Sequence, residues 1–113
     1  MIHIPSAHHA AEVDGSGEAL AEGESELDHL GLEVEAMEGW PLPRLATARV
    51  ALWCTRYRIV ELGPKPQALV IGQIQEAWWE DRLGEDLPGR IDLLEPLGRL
   101  AHSYVVGGEE LEV

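Results

Sequence analysis

The side chains best suited to chemistry in this sequence are its histidines, its single cysteine, its many carboxylates and one tryptophan pair. His3, His8, His9 and His29 raise the question of a metal. Structural and catalytic metal sites draw on Cys and His at short, regular spacings. His8 and His9 are adjacent and point different ways in a strand or helix, and no cysteine or further histidine falls at a ligand spacing, so no metal is expected. Cys54 lies in an apolar, β-rich run with no general base at an informative spacing, which reads as a buried structural thiol. Carboxylates that move protons need a pKa raised by burial. The acids here cluster with other acids in polar stretches and read as solvated surface. Ser103 follows His102 directly, and neighbours in a strand face apart, so no Ser-His-Asp triad can be picked out. There is no GxGxxG and no Walker pattern, and Gly15-Ser16-Gly17 is a flexible turn. Trp78-Trp79 says more. Adjacent at a strand end, the two rings lie on opposite faces. One belongs in the core; the other covers a pocket or subunit interface, or stacks on a ligand.

Positioning these groups falls to a β-rich frame. Residues 1–5 read as the end of a strand, Ile2 and Ile4 alternating with His3 and Pro5 stopping it. This edge strand needs a partner, and nothing upstream supplies one. Ser6 is placed to cap a short helix running to Val13, which Gly15 and Gly17 break. A second helical piece falls within residues 23–31, with Ser25 as cap, Leu27 and Leu30 as its apolar contacts and Gly31 as its end. Residues 32–37 alternate apolar and acidic, as a half-exposed strand does, and the prolines in 39–43 deny helix. The strongest pattern is residues 50–62, a long strand with Ala51, Trp53, Tyr57 and Ile59 expected on one face. Gly63-Pro64-Lys65-Pro66 is a turn signal. Residues 67–81 read as a second long strand with Val70, Ile74 and Trp78 on one face and a bulge or close approach at Gly72. The two make an antiparallel hairpin. Residues 82–90 read as a loop, Asp92 as the cap of a short helix over 93–100 or, since Pro96 falls late for a helix, of one turn followed by an irregular stretch, residues 103–106 as a strand and Gly107-Gly108 as a turn. Strands with short helical inserts suggest a small barrel or curved sheet.

Composition narrows the partners. The 113 residues make one domain, able to bury roughly two-thirds of the unfolded chain's surface. A hydrophobic content of 45% argues against disorder. No apolar run approaches the ~20 residues that span a bilayer, and the N-terminus lacks a basic start followed by an apolar stretch, so neither a membrane span nor a signal peptide is expected. A single cysteine permits no internal disulfide, which fits a reducing cytoplasm. The formal net charge of −13 repels nucleic-acid phosphates and anionic lipid. Residues 1–47 hold ten acids and one arginine, Arg44. That stretch is a solvated face or a docking surface for a basic partner.

Taken in order along the chain, the segments 2–6, 23–32, 51–54, 69–74, 80–83, 89–92, 94–100 and 104–109 carry a set of short motifs, Leu69-Val70-Ile71-Gly72-Gln73-Ile74 and Gly89-Arg90-Ile91-Asp92 among them, and the ordered set resembles flavin reductase-like, FMN-binding split barrels of the flavoredoxin type. Leu69-Val70-Ile71-Gly72-Gln73-Ile74 followed by Glu80-Asp81-Arg82-Leu83 is similar to that family's VIGEV strand and DD-x-L turn. Gly89-Arg90-Ile91-Asp92 is similar to its GRID or GRVD. Leu94-Glu95-Pro96-Leu97-Gly98-Arg99-Leu100 resembles its helix-like stretch, and Tyr104 with Gly108-Glu109 its closing G-G-x-x-Y…GE pattern. Upstream, Ile2-His3-Ile4-Pro5-Ser6 resembles the strand ending the family's first half. Gly23, Ser25-Glu26-Leu27 and Gly31-Leu32 resemble its GVSEF…GL segment, and Ala51-Leu52-Trp53-Cys54 its ALEC strand.

The resemblance implies a C-terminal half-domain, mainly β: an incomplete split β-barrel of antiparallel strands with short helices. Residues 1–113 would be one partial domain, an acidic strand with short helices over 1–47 and the hairpin with a C-terminal segment over 48–113. It implies FMN near a subunit interface, NAD(P)H as possible electron donor, and a homodimer or a complementing chain as partner. Arg99, His102 and Tyr104 would lie on the flavin or nicotinamide side, and no catalytic residue is singled out. The family's first half, which supplies most Ser/Thr, Asn and Lys contacts to FMN, has no counterpart in these residues. Within the retained half the family's Gly-Gly is Ala101-His102, its frequent His is Gln67, and its Asn-x-Thr/Ser is Asp14-Gly15-Ser16. Added side chains at 101–102 crowd a ligand, and an acid near a phosphate is unfavourable. The chain therefore reads as part of an FMN-dependent reductase, inactive alone. The alternative is a non-catalytic dimerisation or interaction module derived from such a domain.

Overall fold

The structure, a computed structural model, describes residues 1–84, 91–107 and 111–112. Its frame is the hairpin of β4 (Val50–Leu62) and β5 (Gln67–Trp79), each thirteen residues long. Both strands are dense in β-branched and aromatic residues, and Gly63 takes the left-handed φ of 68° that opens the connecting turn. β1 (Ile2–His3) pairs antiparallel with β4, Ile2 opposite Leu52 and His3 opposite Ala51. The N-terminal strand thus finds a partner in the chain's own central strand. β2 (Val34–Glu35) pairs with β3 (Arg44–Leu45), a much shorter ribbon than residues 32–37 suggest. β6 (Leu97–Leu100) pairs with β7 (Ser103–Val106). Among the described residues the three sheets do not close into a barrel, so the fold is mainly antiparallel β with a few short helices.

The helices follow local signals. α1 covers Ala10–Gly15, after a 3-10 turn over Ala7–His9. The Ser6 hydroxyl makes no cap hydrogen bond; instead the Ser6 N–H donates to His9 Nδ1 at 3.0 Å. α2 (Glu26–Leu30) starts as its sequence predicts, with Ser25 Oγ accepting from the Leu27 N–H at 3.2 Å. It ends on Gly31 at φ 65°, with the Leu32 N–H returning to Leu27 O. α3 (Ile91–Leu94) stops before Pro96. A helix through residue 100 is therefore corrected, and so is the cap: Asp92 lies inside α3, which is the single turn before Pro96, and residues 97–100 are strand β6 rather than an irregular stretch. Pro96 cannot continue a helix, and Glu95 at φ 48° turns the chain out of it. The loop expected over 82–90 is replaced at its start by a 3-10 turn, Asp81–Leu83. Residues 85–90 lie outside the described residues, as do Gly108 and Glu109, so the Gly89-Arg90 part of one motif and the 107–108 turn are not addressed by the structure.

The core sits at the base of the hairpin. Val50, Leu83 and Leu94 are buried together, with Ile4, Leu52, Trp79 and Leu93 packed around them. Trp79 is thus the core member of the tryptophan pair, its Nε1–H donating to Gly84 O at 2.7 Å. Arg49 clamps this base: its Nε donates to Glu80 Oε1 at 2.7 Å, and its Nη1 to the carbonyls of Leu93 and Leu94 at the end of α3.

Two register shifts, one between Trp53 and Cys54 and one between Arg56 and Arg58, interrupt the β4–β5 ladder. Gln75 and Tyr57 are the unpaired extra residues. Pairing puts Ala51, Trp53 and Trp78 on one face but Ile59, Val70 and Ile74 on the other. The single faces expected for Ala51/Trp53/Ile59 and for Val70/Ile74/Trp78 are each split, because a bulge shifts the period-2 alternation by one residue.

Candidate functional site

Of the three residues expected near a ligand, two come together. Arg99 and Tyr104 are directly opposite in the β6–β7 hairpin. Arg99 Nη1 donates to Tyr104 Oη at 3.1 Å, and its guanidinium lies 5.4 Å from the ring centroid. Arg99 Nε is committed to Ala101 O at 3.0 Å. Tyr104 Oη in turn donates to Asp14 Oδ1 at 3.2 Å, linking the hairpin to α1. His102 stays apart from this cluster, exposed in the two-residue turn beside Ala101. Asp14 was legible only as a departure from the family pattern; ninety residues separate it from Tyr104, and no local signal couples them.

α1 also walls a cavity of about 270 Å³ with Glu12 and Val13. His3, His9, Leu32 and Leu45 face it from other segments. Both imidazoles there are occupied by backbone. His3 Nε2 accepts the Leu45 N–H at 3.0 Å. His9 accepts the Ser6 N–H on Nδ1 and so donates from Nε2 to Thr47 O at 3.0 Å. Burial lowers the pKa of both. The N-terminal ammonium and Arg44 add to the effect at His3, and His8 adds to it at His9, where Thr47 O and Glu12 act weakly the other way. Neutral imidazoles already bonded to backbone stitch residues 1–9 to the 45–47 segment. Among the described residues no group of three or more His, Cys, Asp or Glu side chains could hold a metal ion.

Trp78 carries a cation on its face. The Arg44 guanidinium lies 4.0 Å from the ring centroid, held by Glu35 Oε2 at 2.8 Å and by the carbonyls of Leu45 and Ala46. On the same side of the sheet Trp40 packs against Trp53, ring centroids 6.1 Å apart, and donates its Nε1–H to Glu76. This aromatic patch is closed by its own chain, which leaves the Trp78 face taken. Cys54 is half-buried against the backbone of Gly72.

No protein-family model matches the sequence, and no curated protein matches it significantly. Solved structures do. Nitrilotriacetate monooxygenase component B from Bacillus cereus superposes with a TM-score of 0.82 at 27% identity, over 98% of this chain and 57% of its own. A Shewanella frigidimarina protein with a split barrel domain, assigned as a flavin reductase, gives 0.81 at 14% identity, over 98% of this chain and 57% of its own. The fold is that of part of a flavin reductase-like split barrel. Flavoredoxin of Desulfovibrio vulgaris gives 0.74 at 21% identity, over 99% of this chain and 60% of its own. The chain therefore spans little more than half the length of these relatives, in agreement with a partial split barrel whose sheets stay open. No helix among the described residues is long and apolar enough to cross a membrane.

Proposed function

We propose that this chain is part of a flavin reductase-like protein that binds FMN and reduces flavin with NAD(P)H when the rest of the split barrel is supplied, by a complementing chain or a partner subunit, in the cytoplasm. The observation that carries this reading is the fold likeness over 98% or more of the chain to proteins that include a flavoredoxin and a monooxygenase component. Arg99 and Tyr104 offer one cation and one phenol to the polar rim of a nucleotide-type ligand, and His102 is exposed beside them. These groups do not amount to a flavin site. A single guanidinium, already bonded to Tyr104 and Ala101, is too little to hold a whole phosphate and ring system, and the Asp14 carboxylate accepts from the same phenol, where it disfavours an anion. The reading therefore assigns this chain a rim and leaves the cofactor's main contacts and the redox step to the remainder of the barrel.

Visible absorption of the chain alone, and of the chain combined with the remaining barrel portion, tests this. The chain alone is expected to stay colourless with added FMN, and the combination to turn yellow and bleach with NAD(P)H. Arg99→Ala in the combination is expected to weaken FMN or NAD(P)H binding about tenfold, the loss of one charge-assisted hydrogen bond. A combination that ignores FMN would sink the reading. The second reading, a non-catalytic interaction module, is favoured by the Asp14–Tyr104 bond and predicts that colourless result with a stable assembly.

A further inference from the structure

The cavity walled by α1 is separate from the rim of Arg99, His102 and Tyr104, none of which lines it. Four segments of this one chain surround it: β1 with the two residues after it, α1 with Ser16, Leu32, and residues 45–48. Its sides are mostly hydrocarbon, from Ile4, Pro5, Val13, Leu32, Leu45 and Ala48. A dry apolar cavity of about 150 Å³ takes benzene, so a volume of about 270 Å³ gives room for one substituted ring or a short branched chain. Pockets for drug-sized ligands run from about 300 to about 1,000 Å³.

The polar lining selects by charge. Both imidazoles are committed to backbone, His3 to the Leu45 N–H and His9 to the Ser6 N–H and Thr47 O, and burial favours their neutral forms. The Ser16 hydroxyl donates to Val13 O at 2.7 Å. Glu12 is left as the charged side chain of the lining. Its Oε2 is buried and has no hydrogen-bond partner among the described residues, and a buried oxygen of this kind is costly until a donor reaches it. Arg44, beside the lining residue Leu45, is engaged elsewhere: Glu35, the carbonyls of Leu45 and Ala46 and the Trp78 ring hold its guanidinium. An apolar pocket with one unanswered carboxylate suits a ligand that brings N–H donors and positive charge on a small hydrocarbon body. We propose that this cavity binds a small organic ammonium ion, with its ring or chain against the apolar walls and its ammonium group on Glu12. A carboxylate ligand of the same size is repelled there. Flavin has no part in the proposal, so its failure and that of the flavin reading are separable.

Amide NMR on the full chain without flavin, titrated at neutral pH with benzylamine, benzyl alcohol and benzoate, tests it. Benzylammonium is expected to shift the Val13, Leu32 and Ala48 amides saturably and to bind about tenfold or more tighter than benzoate, the worth of one charge-assisted hydrogen bond. Glu12→Gln is expected to weaken benzylammonium about tenfold and to leave benzyl alcohol unchanged. Val13→Phe fills the cavity and is expected to abolish binding of all three. Absence of a saturable shift with benzylammonium overturns the proposal. So does benzoate binding as tightly, or Glu12→Gln without effect. FMN shifting the same amides overturns it too, since the cavity then belongs to the flavin site. Loss of benzylammonium binding once the remaining barrel portion is added has the same force, since that portion then fills the cavity. If a variant fails to fold, the ranking of the three probes on wild type decides by itself.

Discussion

Ala101 holds a left-handed φ of 52° in the turn between β6 and β7, a conformation that costs a non-glycine residue roughly 1–2 kcal/mol. The glycine pair that the resembling family carries there thus has a reason in the turn itself, besides any approach of ligand to backbone. Ala101→Gly is expected to raise stability by up to about 1 kcal/mol, part of the relief being offset by the freer unfolded chain, as read from urea unfolding. Arg49 works in the opposite direction. Its guanidinium is nearly buried and answers both Glu80 and the terminal carbonyls of α3. Arg49→Ala leaves a half-buried carboxylate and two carbonyls without their donor, and is expected to cost about 2–3 kcal/mol by the same measurement. An arginine just before a long strand carries no sequence signal for this clamp, because its partners are 31 to 45 residues away.

At the scale of elements, what the sequence showed well was local. The bounds of β4 follow from an unbroken β-forming run, and both ends of α2 from Ser25 and Gly31. What it hid depended on pairing. β6 reads as helix until β7 is placed beside it, and the faces of the long hairpin follow alternation only until a bulge intervenes. The candidate site shows the same division. Arg99 and Tyr104 lie five residues apart, and the hairpin brings them together; Asp14 joins them only through the tertiary contact of α1. Gly72 reads in the sequence as a bulge or a close approach; the unpaired residue is Tyr57 on the facing strand, and a Cβ on Gly72 would lie 2.9 Å from Cys54 Cβ and 3.5 Å from Ile2 Cδ1. Gly72→Ala is therefore expected to destabilise the β1–β4–β5 sheet by about 1–3 kcal/mol through overpacking, seen as a lower thermal midpoint.

For the molecule as a whole, acid is the weak direction. His3 and His9 are held neutral in the fold, with pKa values below the ordinary 6.5. Between 6.5 and those lower values the unfolded chain binds more protons than the native one, so stability rises with pH across that window. The contribution is fully present above about 6.5 and is lost as pH falls through the folded values. Protonation also ends the capacity of His3 Nε2 and His9 Nδ1 to accept the Leu45 and Ser6 N–H groups. The urea midpoint is expected to fall between about pH 7 and about pH 5, above the range in which ordinary carboxylates titrate; an unchanged midpoint would contradict this.

The two bulges in the hairpin also set what the chain can lose. Gln75 and Tyr57 each stand opposite no partner residue. Excising either one leaves every cross-strand pair in place and turns an irregular ladder into a regular one. Excising a paired residue from either strand instead slips the register beyond it and inverts a face. Within the strands, tolerance of length change is thus concentrated at two sites, and its consequence is directional: a bulge adds local twist and bend, so a shortened hairpin keeps its pairs but points elsewhere.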